Sequence, residues 1–166
     1  MAARSEDGAA ATPLGADEEV TPLNADEEVL WRALVRIAVT LPRGMDDDLT
    51  RTAGISFSAY GVLTILSEAE NQAMRLSALA GAVALSLSRV SRLVDEMQAQ
   101  GLVTKERDTV DTRGSIARLT PAGLDQLRKA YPVHLASVRQ RVIDHVAPEL
   151  VLPTARALAA LAASMR

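Results

Sequence analysis

The 166-residue chain contains no cysteine, so neither a disulfide framework nor a thiolate zinc site is available to it. Aromatic residues are confined to Trp31, Phe57, Tyr60 and Tyr131, and a core must therefore be built from Leu, Val, Ile and Ala. At this length that core suffices for one domain. Only two histidines occur, His134 and His145. On one helix they would lie about 16 Å apart at a 1.5 Å rise per residue, too far to share a metal, and solvated or capping roles are expected of both. Asp46-Asp47-Asp48 points three ways on a helix and reads as a solvated helix start. No GxSxG elbow, HExxH pair, P-loop or dinucleotide fingerprint is present, so neither an enzyme nor a cofactor or metal is expected. No apolar run reaches the length of a membrane span, and the N-terminus lacks the basic-then-apolar layout of a signal peptide. The expectation is a cytoplasmic protein with no membrane partner.

Positive charge is also in short supply, with a net charge of −3, but the deficit is local. Residues 1–29 hold Arg4 against eight acidic side chains, a local charge of −7 that leaves the remainder at +4. Such asymmetry says more about partners than the total does. Residues 1–23, rich in Ala, Gly, Pro and acids, read as an acidic flexible tail. Within and beyond it TPLGADEEV is followed at once by TPLNADEEV, a short tandem duplication too small to stack a core.

Helical spacing dominates the chain beyond this repeat. Asn24 and Glu27 form a capping-box pair at the start of a helix from Ala25 to about Leu41, with Leu30, Leu34, Ile37 and Leu41 on one face. Pro42 is expected to stop it, with a short turn over residues 46–52. Ser56 caps a helix from Phe57 to Glu68 with Tyr60, Leu63 and Leu66 inward, and Met74-Arg75-Leu76 is a candidate short strand. After the centre of the chain, Pro121 to about His145 reads as one long helix bent at Pro132, with Tyr131 and Leu135 on its apolar stripe. Pro148 ends it, and an Ala/Leu-rich helix continues to Met165. The first and last helices carry more apolar surface than a monomer usually exposes, which points to a dimer interface.

Everything else is arranged around Ser77 to Gly123. A short helix from Ser77, the expected N-cap, to Val83 precedes a second helix capped by Ser86 or Ser88. Leu87, Val90, Leu93, Val94 and Met97 mark its core face, and Gly101 ends it. Ser88, Arg89, Ser91 and Arg92 project from the opposite face. Hydroxyls and guanidinium forks in the first two turns suit a helix entering a DNA major groove, where Arg pairs with guanine O6 and N7. The plainer reading is a solvated amphipathic face, and Asp95 and Glu96 limit any contact to the first turns. Two short strands come next, Leu102–Arg107 and Ser115–Leu119, joined by DTVDTRG. A basic tip residue, Arg113, is placed to reach a minor groove. Thr120 and Pro121 then start the next helix. The order spells a winged helix-turn-helix.

LSRVSRLVDEMQAQGLVTKERDTVDTRG followed by LTPAG resembles the MarR family of transcriptional regulators. Its most specific marks are Asp111-x-Arg113-Gly114 and Leu119-Thr120-x-x-Gly123, and the resemblance covers nearly everything after Asn24. It implies that Asp111 orients Arg113 by a salt bridge while the arginine enters the minor groove. Gly61 departs from the acidic residue that many relatives carry in that helix. Arg32, Arg36 and Arg43 fall near one stripe of the first helix, beside Trp31, and form a candidate anion-binding cleft, with Trp31, Arg32 and Arg36 as its candidate residues; against this, Trp31 could be core or dimer contact and the arginines surface. Some branches that bind urate-like anions carry a first-helix Trp.

The sequence thus predicts a mainly α fold with a small β-wing. A single domain over 24–166 comprises a winged helix-turn-helix lobe over about 54–120 and dimerisation helices over 24–42 and 121–166. The expected function is a homodimeric, sequence-specific transcriptional regulator, a repressor relieved by a small anionic or aromatic ligand. It would bind double-stranded DNA at a near-palindromic site through Ser86, Ser88, Arg89, Ser91, Arg92, Asp111 and Arg113. The alternative is a winged-helix protein–protein module without DNA binding.

Overall fold

A computed structural model describes residues 21–108 and 114–165. The proposed acidic tail falls largely outside this range, as do Asp111 and Arg113. Six helices and three strands occur in the order α1 (Ala25–Ala53), α2 (Phe57–Glu68), β1 (Ala73–Arg75), α3 (Leu76–Ala82), α4 (Leu87–Ala99), β2 (Val103–Arg107), β3 (Ser115–Leu119), α5 (Pro121–Arg141) and α6 (Pro148–Ser164). Short 3₁₀ turns cover Glu70–Gln72 and Ile143–His145. The mainly helical body with a small antiparallel sheet is as the sequence predicts.

Contacts divide the chain into two units, residues 1–36 and 37–166. In the first, the capping box is as expected. Asn24 Oδ1 accepts from the amides of Asp26 and Glu27, both at 3.0 Å, and Glu27 Oε2 accepts from the Asn24 amide at 2.8 Å. Val29, Leu30, Trp31 and Val35 lie exposed.

In the second unit the core lies where α2, α3, α4, α5 and the sheet meet. Leu49, Val62, Leu63, Leu66, Leu79, Val90, Val94, Met97, Val103 and Ala117 are all buried in it. Ser56 caps α2 through its side chain, which accepts from the Ala59 amide at 3.1 Å. The sheet runs β1-β3-β2, antiparallel throughout, with Met74 opposite Ala117 and Lys105 opposite the same residue from the other side.

Five expectations are corrected. Pro42 does not end α1, which continues to Ala53. A proline removes one backbone donor and crowds the preceding turn, but Gly44, Met45 and Leu49 beyond it are buried and hold the helical path. The aspartate run is therefore mid-helix and largely engaged. Asp46 Oδ1 accepts from the Phe57 amide at 2.8 Å. Asp48 accepts from Ser137 Oγ at 2.7 Å and from Arg141 Nε and Nη2 at 3.0 and 2.9 Å, and pairs with Arg51 at 2.6 Å. The Ser137 hydroxyl first, and then the Arg141 guanidinium, hold the Asp48 carboxyl below the usual carboxylate range. Gly44 makes room for this pair, since a Cβ there would run into the Arg141 guanidinium.

Third, α3 starts one residue before Ser77, with Arg75 as N-cap and no side-chain cap bond; the close of β1 leads straight into the helix. Fourth, His134 is half-buried and packs against rings rather than capping a helix. Its ring stacks on Tyr60 at 4.4 Å and near Phe57 at 6.3 Å, and Nδ1 is buried with no hydrogen-bond partner among the described residues. Burial pushes its pKa down. Fifth, α5 passes Pro132 but ends at Arg141, and Tyr131 and Leu135 on its supposed core stripe are exposed. The final helix α6 buries none of its residues.

Candidate nucleic-acid interface

The turn between α3 and α4 is tight. Leu85 N–H bonds back to Ala80 C=O at 3.0 Å, and Ala84 takes a positive φ of 53°, a backbone region that non-glycine residues seldom adopt. Ser86 is the N-cap of α4; its Oγ accepts from the Arg89 amide at 3.3 Å and lies 3.2 Å from Ser88 Oγ. Burial of Val90, Val94 and Met97 fixes the rotation of the helix and turns Ser88, Arg89 and Arg92 to solvent. The Arg92 guanidinium folds back on its own helix, Nε donating to Ser88 C=O at 3.4 Å. Leu87, read from spacing as a core position, is instead 54% exposed. It is the first residue of the helix.

Arg89 borders two hollows. One of about 570 Å³ is also lined by Asp46, Ser56, Ser58, Arg92 and Glu96. The other, about 510 Å³, is apolar and lined by Pro42, Phe57, Tyr60, Ile65 and Val83. Gly61 lies on its wall.

Ser91, unlike its three neighbours, is half-buried. Lys105 Nζ donates to Ser91 Oγ at 3.0 Å and to Asp95 Oδ1 at 2.7 Å, binding β2 to α4. Spacing did not single out Lys105, although strand alternation carries the signal. Val103 is buried, so the side chain two residues on faces the same way. A second clamp was also missed. Arg75 Nε lies 2.6 Å from Asp108 Oδ2, and Asp108 is 3% exposed. The Asp108 amide donates to Gly114 C=O at 3.1 Å and closes the hairpin loop. That loop carries Asp111 and Arg113.

The return from the wing is anchored with equal economy. Thr120 Oγ1 donates to Gly101 C=O at 2.7 Å, lies 2.9 Å from the Leu102 carbonyl oxygen, and accepts from the Gly123 amide at 3.0 Å. A Cβ on Gly123 would collide with the Leu102 carbonyl. Leu119, Thr120 and Gly123 therefore form one joint between the end of α4, the wing and α5. Trp31 on α1 is exposed, and Arg32 Nε donates to Glu28 Oε2 at 2.7 Å.

Comparison with known proteins places this geometry. The family model described as MarR family matches residues 53–114. The chain is similar to Sco3205, a MarR family transcriptional regulator of Streptomyces coelicolor solved in complex with DNA. The two are 31% identical with a TM-score of 0.81, over 89% of this chain and 92% of that one. It is also similar to AbsC, another MarR family transcriptional regulator of Streptomyces coelicolor, at 36% identity and a TM-score of 0.78, over 89% and 99% of the two chains. A candidate transcriptional regulatory protein for the hcr operon of Thauera aromatica is 28% identical over 81 residues. That match spans about half of each protein, 49% of this chain and 48% of the relative. At these identities, over nearly the full length of both solved structures, the chain belongs to the MarR family of transcriptional regulators.

Proposed function

We propose that the chain is a homodimeric reader of double-stranded DNA that represses transcription at a near-palindromic site. The observation that carries this reading is the pair of exposed guanidinium groups, Arg89 and Arg92, on the first two turns of a helix whose other face is buried beside an antiparallel hairpin. Arg89 and Arg92 would meet guanine edges, Ser86 and Ser88 phosphates at the helix N-terminus, and Ser91 a base edge. Arg113, oriented by Asp111, would enter the minor groove. Two lobes would address half-sites about 34 Å apart. The exposed apolar residues of α6, with Leu150, Leu152, Leu158 and Leu161 among them, and separately those at the start of α1, are the surfaces a second copy would cover.

A small anionic or aromatic effector fits the same scheme. The 510 Å³ apolar hollow lies within the size range of small-molecule sites, and Arg89 on its wall supplies a cation. An acidic ligand held there would draw Arg89 away from DNA and so relieve repression. Trp31, Arg32 and Arg36 are the second candidate set.

The test is binding of a duplex from the chain's own promoter at two salt concentrations. A DNA reader loses affinity steeply with salt, in proportion to the phosphates neutralised. Arg89→Ala and Arg92→Ala should each relax preference at particular base pairs by ~1–3 kcal/mol, and Arg113→Ala should weaken binding more evenly. Residues 54–120 carry seven basic and seven acidic side chains. That near-neutral balance favours the second reading, a winged-helix module for a protein partner. Salt-independent or absent binding to every promoter duplex would establish that alternative.

A further inference from the structure

We infer that Lys105 is a positioning residue that sets the hydrogen-bonding polarity of Ser91, and through it which base α4 accepts at one operator position. The inference rests on the DNA-reading function proposed above and assigns part of its specificity to a residue of the wing.

A serine hydroxyl alone is ambiguous, because it donates one hydrogen bond and accepts others, and so pairs with either kind of base edge. Here that ambiguity is narrowed, because one of the hydroxyl's two acceptor lone pairs is already taken. The ammonium of Lys105 has three donors and no acceptor, and one of them is directed at Ser91 Oγ at 3.0 Å. Ser91 therefore accepts from within the protein and keeps its own O–H to donate outward. A base amino group approaching the same oxygen would also face the cation 3.0 Å behind it. Ser91 should thus favour edges that accept, guanine O6 and N7 or thymine O4, and disfavour the cytosine N4 amino group.

The ammonium has little freedom to do otherwise. Lys105 is held in the middle of β2, paired with Ala117 of the central strand. Asp95, one turn after Ser91 on the same helix face, holds the ammonium at 2.7 Å. The Lys105 side chain is only 21% exposed. Ser91 itself opens onto a hollow of about 210 Å³ between the starts of α3 and α4 and the wing, shared with Ser77, Leu87 and Ser115. An incoming base edge would meet the hydroxyl there, with the methyl groups of Leu87 beside it.

Selection of operators from a randomised duplex library tests this, using full-length wild type, Ser91→Ala, Lys105→Met and Lys105→Arg. Ser91→Ala identifies the base pair that Ser91 reads as the one position where preference flattens. Lys105→Met should flatten that same position by roughly fivefold to tenfold, the net worth of one neutral hydrogen bond from the serine hydroxyl to a base edge. Lys105→Arg, which keeps a cationic donor, should retain the preference. Three results overturn the assignment alone: Ser91→Ala leaving every position unchanged, Lys105→Met leaving the Ser91 position unchanged, or Lys105→Met lowering affinity evenly with a shallower salt slope, the mark of a phosphate contact. A wild type that enriches no sequence overturns the DNA reading and this assignment together. Should Lys105→Met fail to fold, Asp95→Asn, which frees the ammonium without removing it, should produce a partial flattening at the same position, and its absence counts against the assignment.

Discussion

Two glycines of this chain respond oppositely to one added carbon. At Gly123 a methyl group would press into the Leu102 carbonyl and the Leu119 side chain, both part of the joint between α4, the wing and α5. Gly123→Ala is expected to destabilise the fold by about 1–3 kcal/mol, the usual effect of overpacking, measured as a lower urea midpoint at unchanged slope. At Gly61, within α2, no described residue lies within 4 Å of the same added carbon. Gly61→Ala should stabilise by about 0.5–1 kcal/mol through reduced backbone entropy of the unfolded chain. It should also narrow the apolar hollow that Gly61 borders. His134 gives the pH response at this scale. Burial against Tyr60 and Phe57 lowers its pKa below the ordinary 6.5. The unfolded chain therefore binds more protons between the two values, so stability is full above the unfolded pKa and declines as pH falls toward the folded one. Melting temperature should drop from about pH 8 to about pH 5 in the wild type, and His134→Phe should flatten that part of the profile. An equal decline in His134→Phe would assign the acid sensitivity elsewhere.

Helix α1 shows how a local rule yields to packing. Pro42 is a strong stop signal by itself, and the helix nonetheless runs on, with Gly44, Met45 and Leu49 buried beyond it and Asp48 tied to Ser137 and Arg141 of α5. Asp48→Asn should cost about 1.5–3 kcal/mol, the range for hydrogen bonds to a charged group. A double-mutant cycle with Arg141→Ala should show strong coupling, whereas additive losses would mean the two act separately. The same element shows where the sequence was legible and where it was not. Caps are largely local chemistry, so Asn24, Ser56 and Thr120 could be assigned from their neighbours alone and the α4 cap narrowed to Ser86 or Ser88, although Ser77 is not the cap of α3; α2 and β3 have the predicted boundaries. Burial depends on what arrives from afar. Leu87, Tyr131 and Leu135 sit at helical spacing yet lie open, while His134 finds two rings contributed by α2, more than seventy residues back. Of the interface, the helix face bearing Ser88, Arg89 and Arg92 could be read from periodicity. The clamps Lys105–Ser91 and Arg75–Asp108 could not, because each joins elements whose pairing only the fold reveals.

For the molecule as a whole, the unburied α6 is the feature that demands a partner. A helix with Leu150, Leu152, Leu158 and Leu161 all exposed gains little from a solitary fold. Removing residues 149–166 should shift sedimentation from dimer to monomer or aggregate and weaken operator binding, since each lobe then engages its half-site alone. A truncated chain that stays dimeric with full affinity would place the association surface elsewhere. The Thr120 joint has a further consequence of a mechanical kind. Strand β3 ends at Leu119 and α5 begins at Pro121, leaving a single residue between them, and that residue is bonded to the end of α4. There is no slack in this hinge to absorb a displacement of the wing. Inserting one alanine after Thr120 would rotate the whole of α5 by about 100° relative to the wing, carrying Asp125, Gln126 and Ser137 to new bearings at once. Drift in length is thereby forbidden at this point of the chain, and the wing and α5 are geared to turn together.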